Sequence, residues 1–259
     1  MDFNYHTHTY HCHHASGTPE EYVKRALENG ITEMGFSDHF PFDFGDGYHN
    51  SARIPIGEVS TYLEEVHYLK EKYAGRIKIR LGFEMEYYTE LFPEMKQKAI
   101  EYGAEYLLLG EHYCAPENAP DARPHCSLKT DDGEFLSFYA DRVIEGMRTG
   151  AFTYVAHPDV FNFVGDGALF AEAAERISRA SVETGIPLEI NFLGIRDSRN
   201  YPNPLFWRIA SRVGAPVTFG FDAHTVDSAY DGASLTIAKQ MVENLGLNYI
   251  GKPVLRKLS

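Results

Sequence analysis

Six short stretches of this 259-residue chain carry side chains that bind divalent metals: His6-Thr7-His8, Ser37-Asp38-His39, Glu84-Met85-Glu86, Glu111-His112, Ala156-His157-Pro158 and Asp222-Ala223-His224. Imidazole and carboxylate suit zinc, iron or manganese alike. Clustered ions of this kind do hydrolytic chemistry, bringing the pKa of a bound water down to about 7 and neutralising the oxygens of the group under attack. The chain has twelve histidines, five of them in the nine residues from His6 to His14, a crowding that points to metal rather than to a solvated surface.

Spacing narrows the set only in part. In a strand, residues i and i+2 project to one face, so His6 with His8, and Asp222 with His224, can each chelate from one strand. Glu84 and Glu86 also share a face, and either can be the ligand. Asp38 is a ligand or, the favoured reading, a carboxylate that orients a neighbouring imidazole. His11, His13 and His14 follow the first pair too closely for all three to bind. Cys12 lies among them as a soft alternative, while His49, His67 and His125 read as loop or helix-surface residues. The three cysteines, Cys12, Cys114 and Cys126, form no CxxC, which excludes a thiolate-rich structural zinc site and fits a reduced, cytoplasmic setting.

The elements that must position these residues alternate. Strand-like runs at 3–8, 33–39, 77–87, 106–113, 153–159, 187–192 and 217–224 are separated by amphipathic stretches. The first helix opens at Thr18-Pro19-Glu20-Glu21 and closes at Asn29-Gly30. Further helices read at 58–72, 94–102, 133–149, 169–184, 205–213 and 233–245, and Gly103, Gly150, Gly185, Gly214 and Gly246 stand at C-terminal stops. Strand and helix repeated seven times means parallel β with right-handed crossovers, either an open doubly wound sheet or a closed barrel. No glycine-rich phosphate loop follows the first strand, which counts against a dinucleotide fold. No repeat or linker divides the chain, so residues 1–259 are expected to form one domain. Six of the seven strands carry candidate ligands near their C-terminal ends, where barrel enzymes gather catalytic groups. The two long loops, 40–57 and 115–132, follow strands at that same end.

The 44% hydrophobic fraction and the 17 Phe and 17 Tyr exclude a disordered chain. No run approaches the roughly 18 apolar residues of a membrane span, and the opening Met1-Asp2-Phe3-Asn4-Tyr5-His6 reads as neither signal nor transit peptide. A net charge of −13 argues against a nucleic-acid backbone or an anionic membrane as partner.

With these residues in order along the chain, the sequence resembles the polymerase and histidinol phosphatase (PHP) superfamily. The resemblance rests on His6-Thr7-His8, Asp38-His39, Gly82-Phe83-Glu84, Gly110-Glu111-His112, Ala156-His157-Pro158 and Gly220-Phe221-Asp222-Ala223-His224, and spans Asp2 to about Gly251. It implies a distorted barrel of seven β/α units, TIM-like, with three divalent metal ions (zinc, iron or manganese) at the C-terminal mouth. By this resemblance His6, His8, Glu84 and Asp222 hold the first ion, Glu84 bridges to a second held by His112 and His157, and His14, His39 and His224 hold the third. The free-standing length, together with His14-Ala15-Ser16-Gly17, Asn191-Phe192-Leu193-Gly194-Ile195-Arg196 and Tyr201-Pro202-Asn203-Pro204, is most similar to histidinol-phosphate phosphatases. The implied activity is hydrolysis of L-histidinol phosphate to L-histidinol and inorganic phosphate. Arg196 matches the family's phosphate-binding arginine, and Asp38 is a candidate acid for the leaving group. One departure stands out: such enzymes often carry a second basic residue after the His-Pro turn, and this chain reads Val160-Phe161-Asn162-Phe163. The loop 40–57, with Phe40, Phe42, Phe44 and Tyr48 beside Asp43 and Asp46, either stacks the substrate imidazole or packs onto the barrel. Arg53 near its end is expected to reach the phosphate as part of a lid. The alternatives are a broader phosphoesterase acting on nucleotides, sugar phosphates or phosphotyrosine, and a non-catalytic metal-binding module.

Overall fold

Short apolar runs buried along nearly their whole length and longer amphipathic ones give eight strands and eight α-helices among the described residues of the computed structural model, 1–119 and 123–258. The strands are β1 (Phe3–Asn4), β2 (Glu33–Phe36), β3 (Lys78–Met85), β4 (Tyr106–Leu109), β5 (Tyr154–Val155), β6 (Leu188–Asn191), β7 (Pro216–Gly220) and β8 (Asn248–Tyr249). They lie in one sheet in sequence order, and every neighbouring pair is parallel. The helices are α1 (Pro19–Glu28), α2 (Val59–Lys72), α3 (Phe92–Glu101), α4 (Gly133–Arg148), α5 (Gly167–Thr184), α6 (Phe192–Arg196), α7 (Pro204–Val213) and α8 (Gly232–Leu245). α1 starts where its sequence says it should: the Thr18 backbone N–H donates to Glu21 at 2.8 Å, completing a capping box ahead of Pro19.

The sheet curls until its first and seventh strands meet. Thr7 bridges Ala223, with the His8 N–H on the Ala223 carbonyl at 2.8 Å and the Ala223 N–H on the His6 carbonyl at 3.2 Å. Lower down, β8 lies against the start of β7 instead. The fold is thus the distorted TIM-like barrel, with a two-residue eighth strand added to the seven expected and α6 inserted after β6.

Inside and outside alternate along each strand. On β4, Leu107 and Leu109 join the outer core under the helices, whereas Tyr106 and Leu108 join Phe3, Tyr5 and Tyr154 in a smaller cluster that fills the barrel. The Tyr106 hydroxyl donates to the Tyr5 and Phe36 carbonyls at 2.8 and 3.1 Å, which makes it a floor plate. On β3, Leu81, Phe83 and Met85 are outward, leaving Glu84 above the floor.

The regular ladders end earlier than the apolar runs suggest. Every candidate ligand except Glu84 lies past the last strand residue, at the mouth. After β5 and β7 the backbone itself ends the ladder: His157 (φ 31°) and Asp222 (φ 45°) take left-handed conformations that a ladder cannot continue through.

Candidate metal centre and active site

Glu84 is the centre of the mouth. Its Oε2 lies 3.3 Å from His6 Nε2, 3.2 Å from His8 Nε2 and 3.4 Å from His39 Nδ1. Its Oε1 lies 2.8 Å from His157 Nε2 and 3.6 Å from His112 Nε2. One carboxylate therefore faces two groups of imidazoles with its two oxygens. Asp222 Oδ1 closes the first group at 3.5 Å from His6 Nε2 and 3.4 Å from His8 Nε2. A third group forms where His14 Nε2 and His224 Nε2 approach to 3.0 Å beside His8 and His39.

The donor set fits a cation. His6 Nδ1 lies 2.7 Å from the fully buried Glu189, and an ionised carboxylate only accepts, so Nδ1 carries the proton and Nε2 of the neutral ring is a lone pair. That lone pair faces oxygens of Glu84 and Asp222, an arrangement of acceptors against acceptors that either a second ring proton or a bound cation must resolve. His6 Nε2, His8 Nε2 and Asp222 Oδ1 are all buried with no hydrogen-bond partner. Burial opposes charge on His6, but Asp222, Glu189 and Glu84 outweigh it and hold its pKa well above the usual value. Burial likewise opposes ionisation of Glu84, yet His6, His112 and His39 hold it well below the usual carboxylate range. Burial pushes His8 down to about 3, keeping that ring an unprotonated donor. Around His6 the carboxylates therefore favour a positive charge, a proton on the ring or a cation in its place, while His8 is a lone pair and Glu84 and Asp222 are anions.

Close packing sets these positions. A Cβ on Gly110 would land on the Glu84 carboxylate, and one on Gly220 would land on Glu189. These two glycines, on β4's end and at the last residue of β7, are what let two buried carboxylates stand inside the barrel.

Around the ligands sits a layer of orienting groups that spacing did not reveal. Glu189 takes the His157 N–H at 3.0 Å and the Asn191 amide at 2.8 Å besides His6. Asn191 in turn donates to Asp222 Oδ2 at 3.0 Å. Glu86, the alternative to Glu84, instead holds His112 Nδ1 at 2.9 Å. The signal for Glu189 was present: a charge inside the apolar run 187–192, on a strand whose other face is buried.

Three expected contacts differ. Asp38 is fully buried, accepts the Thr9 N–H and hydroxyl at 2.7 and 2.9 Å, and does not line the cavity; although burial raises its pKa to about 6, it faces no substrate and orients the turn after His8 rather than an imidazole. Phe40 is fully buried with its ring 5.3 Å from Phe83, on the core side of the wall, so it cannot stack a substrate. Arg53 is no lid: it is 5% exposed, with its guanidinium on Glu86 Oε2 at 2.6 Å, on Glu117, and on the Phe40 carbonyl at 2.9 Å. Its loop packs by its own aromatics, Phe42 on Phe44 at 5.2 Å and Phe44 on Tyr48 at 5.7 Å.

Arg196 does line the mouth, a cavity of about 380 Å³. Its guanidinium bonds Asp231 Oδ2 at 3.0 Å, the Asp222 carbonyl at 3.1 Å and the Phe221 carbonyl at 3.5 Å, so it is partly committed. Cys12 gives its thiol to the Thr9 carbonyl at 3.0 Å, and burial keeps it protonated rather than a thiolate ligand. His11 pairs with Glu65 and His13 with Glu58, away from the cluster. His125, read as a surface residue, lines the cavity with its ring 5.4 Å from that of His112. Residues 120–122 of the loop 115–132 lie outside the described residues. Among the described residues no helix is long and apolar enough to cross a membrane.

The family model of the PHP domain matches residues 4–192 of this chain. A protein of Deinococcus radiodurans named "Probable histidinol-phosphatase" is 29% identical over 229 residues, 85% of either chain. The histidinol-phosphatase of Bacillus subtilis is 30% identical over 102 residues, 38% of either chain. Among solved structures, the histidinol phosphate phosphatase of Lactococcus lactis, complexed with zinc, L-histidinol and phosphate, superposes with a TM-score of 0.72 at 19% identity, covering 99% of this chain and 97% of that one.

Proposed function

This chain belongs to the PHP domain family, and from that premise we propose that residues 1–259 form one metal-dependent phosphoric monoester hydrolase domain whose substrate is L-histidinol phosphate. The observation that carries the reading is Glu84, which turns one oxygen to His6, His8 and His39 and the other to His157 and His112 in a cavity that also holds arginine. The names of the relatives from Deinococcus radiodurans and Bacillus subtilis, and the histidinol and phosphate held by the Lactococcus lactis enzyme, support the substrate.

Three divalent ions (zinc, iron or manganese) would be held by His6, His8, Glu84 and Asp222, by Glu84, His112 and His157, and by His14, His39 and His224, a division supported by the Glu84 contacts on both its oxygens and by the overlapping clusters of His6, His8 and Asp222 and of His8, His14, His39 and His224. When bound they supply Lewis acidity, neutralising phosphoryl oxygens and acidifying water. The chain's own residues do the rest. Glu189 fixes the His6 tautomer and Glu86 that of His112, so both rings present Nε2 to the centre. Arg196 offers its remaining donors to a non-bridging phosphoryl oxygen, and the alcohol and inorganic phosphate leave through the mouth.

A panel of phosphomonoesters at fixed metal tests the substrate. L-histidinol phosphate should exceed nucleotides, sugar phosphates and phosphotyrosine by at least about tenfold in kcat/KM, a difference of about 1.4 kcal/mol in transition-state binding. Even turnover across the panel makes this a broad phosphoesterase, and no turnover of any member by metal-loaded protein makes it a metal-binding module.

A further inference from the structure

A phosphomonoester brings close to two negative charges into the mouth, and the arginines around the cavity are not equally free to meet them. Among the described residues lining it, the arginines are Arg53, Arg196 and Arg199. Arg53 is buried between Glu86 and Glu117. Arg196 is held by Asp231 and two carbonyl oxygens. Arg199 has weaker partners: the Tyr201 hydroxyl at 3.4 Å and Asp197 at 3.2 Å, the latter an exposed pair with both side chains 44% accessible. An exposed pair of that kind is worth little and is readily exchanged for a better anion.

The backbone around Arg199 is fixed even though its guanidinium is not. Ser198 takes a left-handed turn (φ 52°), and the Arg199 N–H donates to the Gly194 carbonyl at 3.0 Å. On its other side Asn200 donates to the Val160 carbonyl at 3.0 Å, and the Asn203 N–H reaches Asp159 Oδ2 at 2.6 Å. These bonds pin the segment onto the turn that follows His157. Arg199 therefore stands beside the Val160 turn, which carries no cation of its own, and lines the same cavity as Arg196, three residues earlier on the segment. A planar fork on a pinned backbone meets a tetrahedral anion bidentately with little ordering cost.

We propose that Arg199 is a second phosphate-clamping residue of this site beside Arg196, taking non-bridging oxygens of the phosphomonoester and releasing Asp197 as it does so. The proposal rests on the phosphatase reading, and its test is arranged so that the two can fail separately. Full-length protein loaded with manganese is compared as wild type, Arg199→Lys and Arg199→Met. The measurements are calorimetric binding of inorganic phosphate, inhibition by phosphate, KM and kcat for L-histidinol phosphate, metal content and unfolding midpoint. Arg199→Met should weaken phosphate binding and raise KM by about 10- to 100-fold, the worth of charge-assisted hydrogen bonds to an anion, with metal content and midpoint unchanged. Arg199→Lys, which keeps charge but not the fork, should fall between. Phosphate binding by Arg199→Met within twofold of wild type overturns the proposal, as does a loss that tracks metal content. Wild-type protein that binds phosphate through Arg199 yet hydrolyses no phosphomonoester overturns the phosphatase reading and leaves the clamp standing.

Discussion

Glu189→Gln changes one atom and one charge, and the surroundings of that carboxylate determine the outcome. Oε1 accepts from His6 Nδ1 at 2.7 Å, and Oε2 accepts from the His157 N–H at 3.0 Å and the Asn191 amide at 2.8 Å. Glutamine has one acceptor oxygen for these three donors. If that oxygen stays with His157 and Asn191, the new NH2 meets His6 Nδ1, which must then accept. The ring proton moves to Nε2, the atom 3.3 Å from Glu84 and 3.5 Å from Asp222, and the lone pair a cation needs is gone. The flipped amide instead faces two donors with a donor, leaving buried groups unpaired at about 1–3 kcal/mol each. Both routes weaken cation binding, and orienting groups of this kind are worth about 10- to 100-fold in metal affinity, or about 1.4–2.8 kcal/mol. Competition of metal-free protein against a chromogenic chelator measures that affinity, while far-UV circular dichroism checks the fold. Affinity of Glu189→Gln within threefold of wild type would refute the idea that Glu189 sets the His6 tautomer.

Arg53→Ala leaves Glu86 and Glu117 buried without their cation, a change of about 3–5 kcal/mol that should lower the unfolding midpoint by about 10 °C. Its activity loss should be equal on L-histidinol phosphate and on a small aryl phosphate, and a loss confined to the former would restore the lid role. His8→Ala and Asp222→Ala should each lose metal and activity with secondary structure intact, so near-wild-type turnover in metal-depleted buffer would remove both from the centre. Gly110→Ala should displace the Glu84 carboxylate and release metal, while Gly57→Ala, whose Cβ meets nothing within 4 Å, serves as its neutral control.

The parallel alternation of strand and helix was legible because most of the long amphipathic runs carry a capping residue or a glycine stop, as α1, α4, α5, α7 and α8 do. The closure was not. β8 is two residues, too short for any periodicity, and the meeting of Thr7 with Ala223 joins positions whose proximity no local pattern encodes. Availability of a side chain was equally hidden. Whether an arginine is free depends on Glu117 for Arg53 and on Asp231 for Arg196, partners 64 and 35 residues away. A basic residue at the mouth can be counted from sequence, but the carboxylate that neutralises it cannot.

Phe40 is different, because the alternation already used for the strands corrects it. Period two puts adjacent residues of extended chain on opposite faces. His39 turns inward to Glu84, and the bridge from His39 to Glu84 together with the Phe40 N–H on the Glu84 carbonyl at 2.8 Å shows the chain still extended there. Phe40 must then point outward, toward Phe83, which is itself the outward neighbour of Glu84 on β3. Assigning His39 to the metal centre therefore already removes Phe40 from it, and any substrate contact from the loop 40–57 has to come from beyond the point where extended structure ends. Asn50 and Ala52, which line the cavity, satisfy that condition.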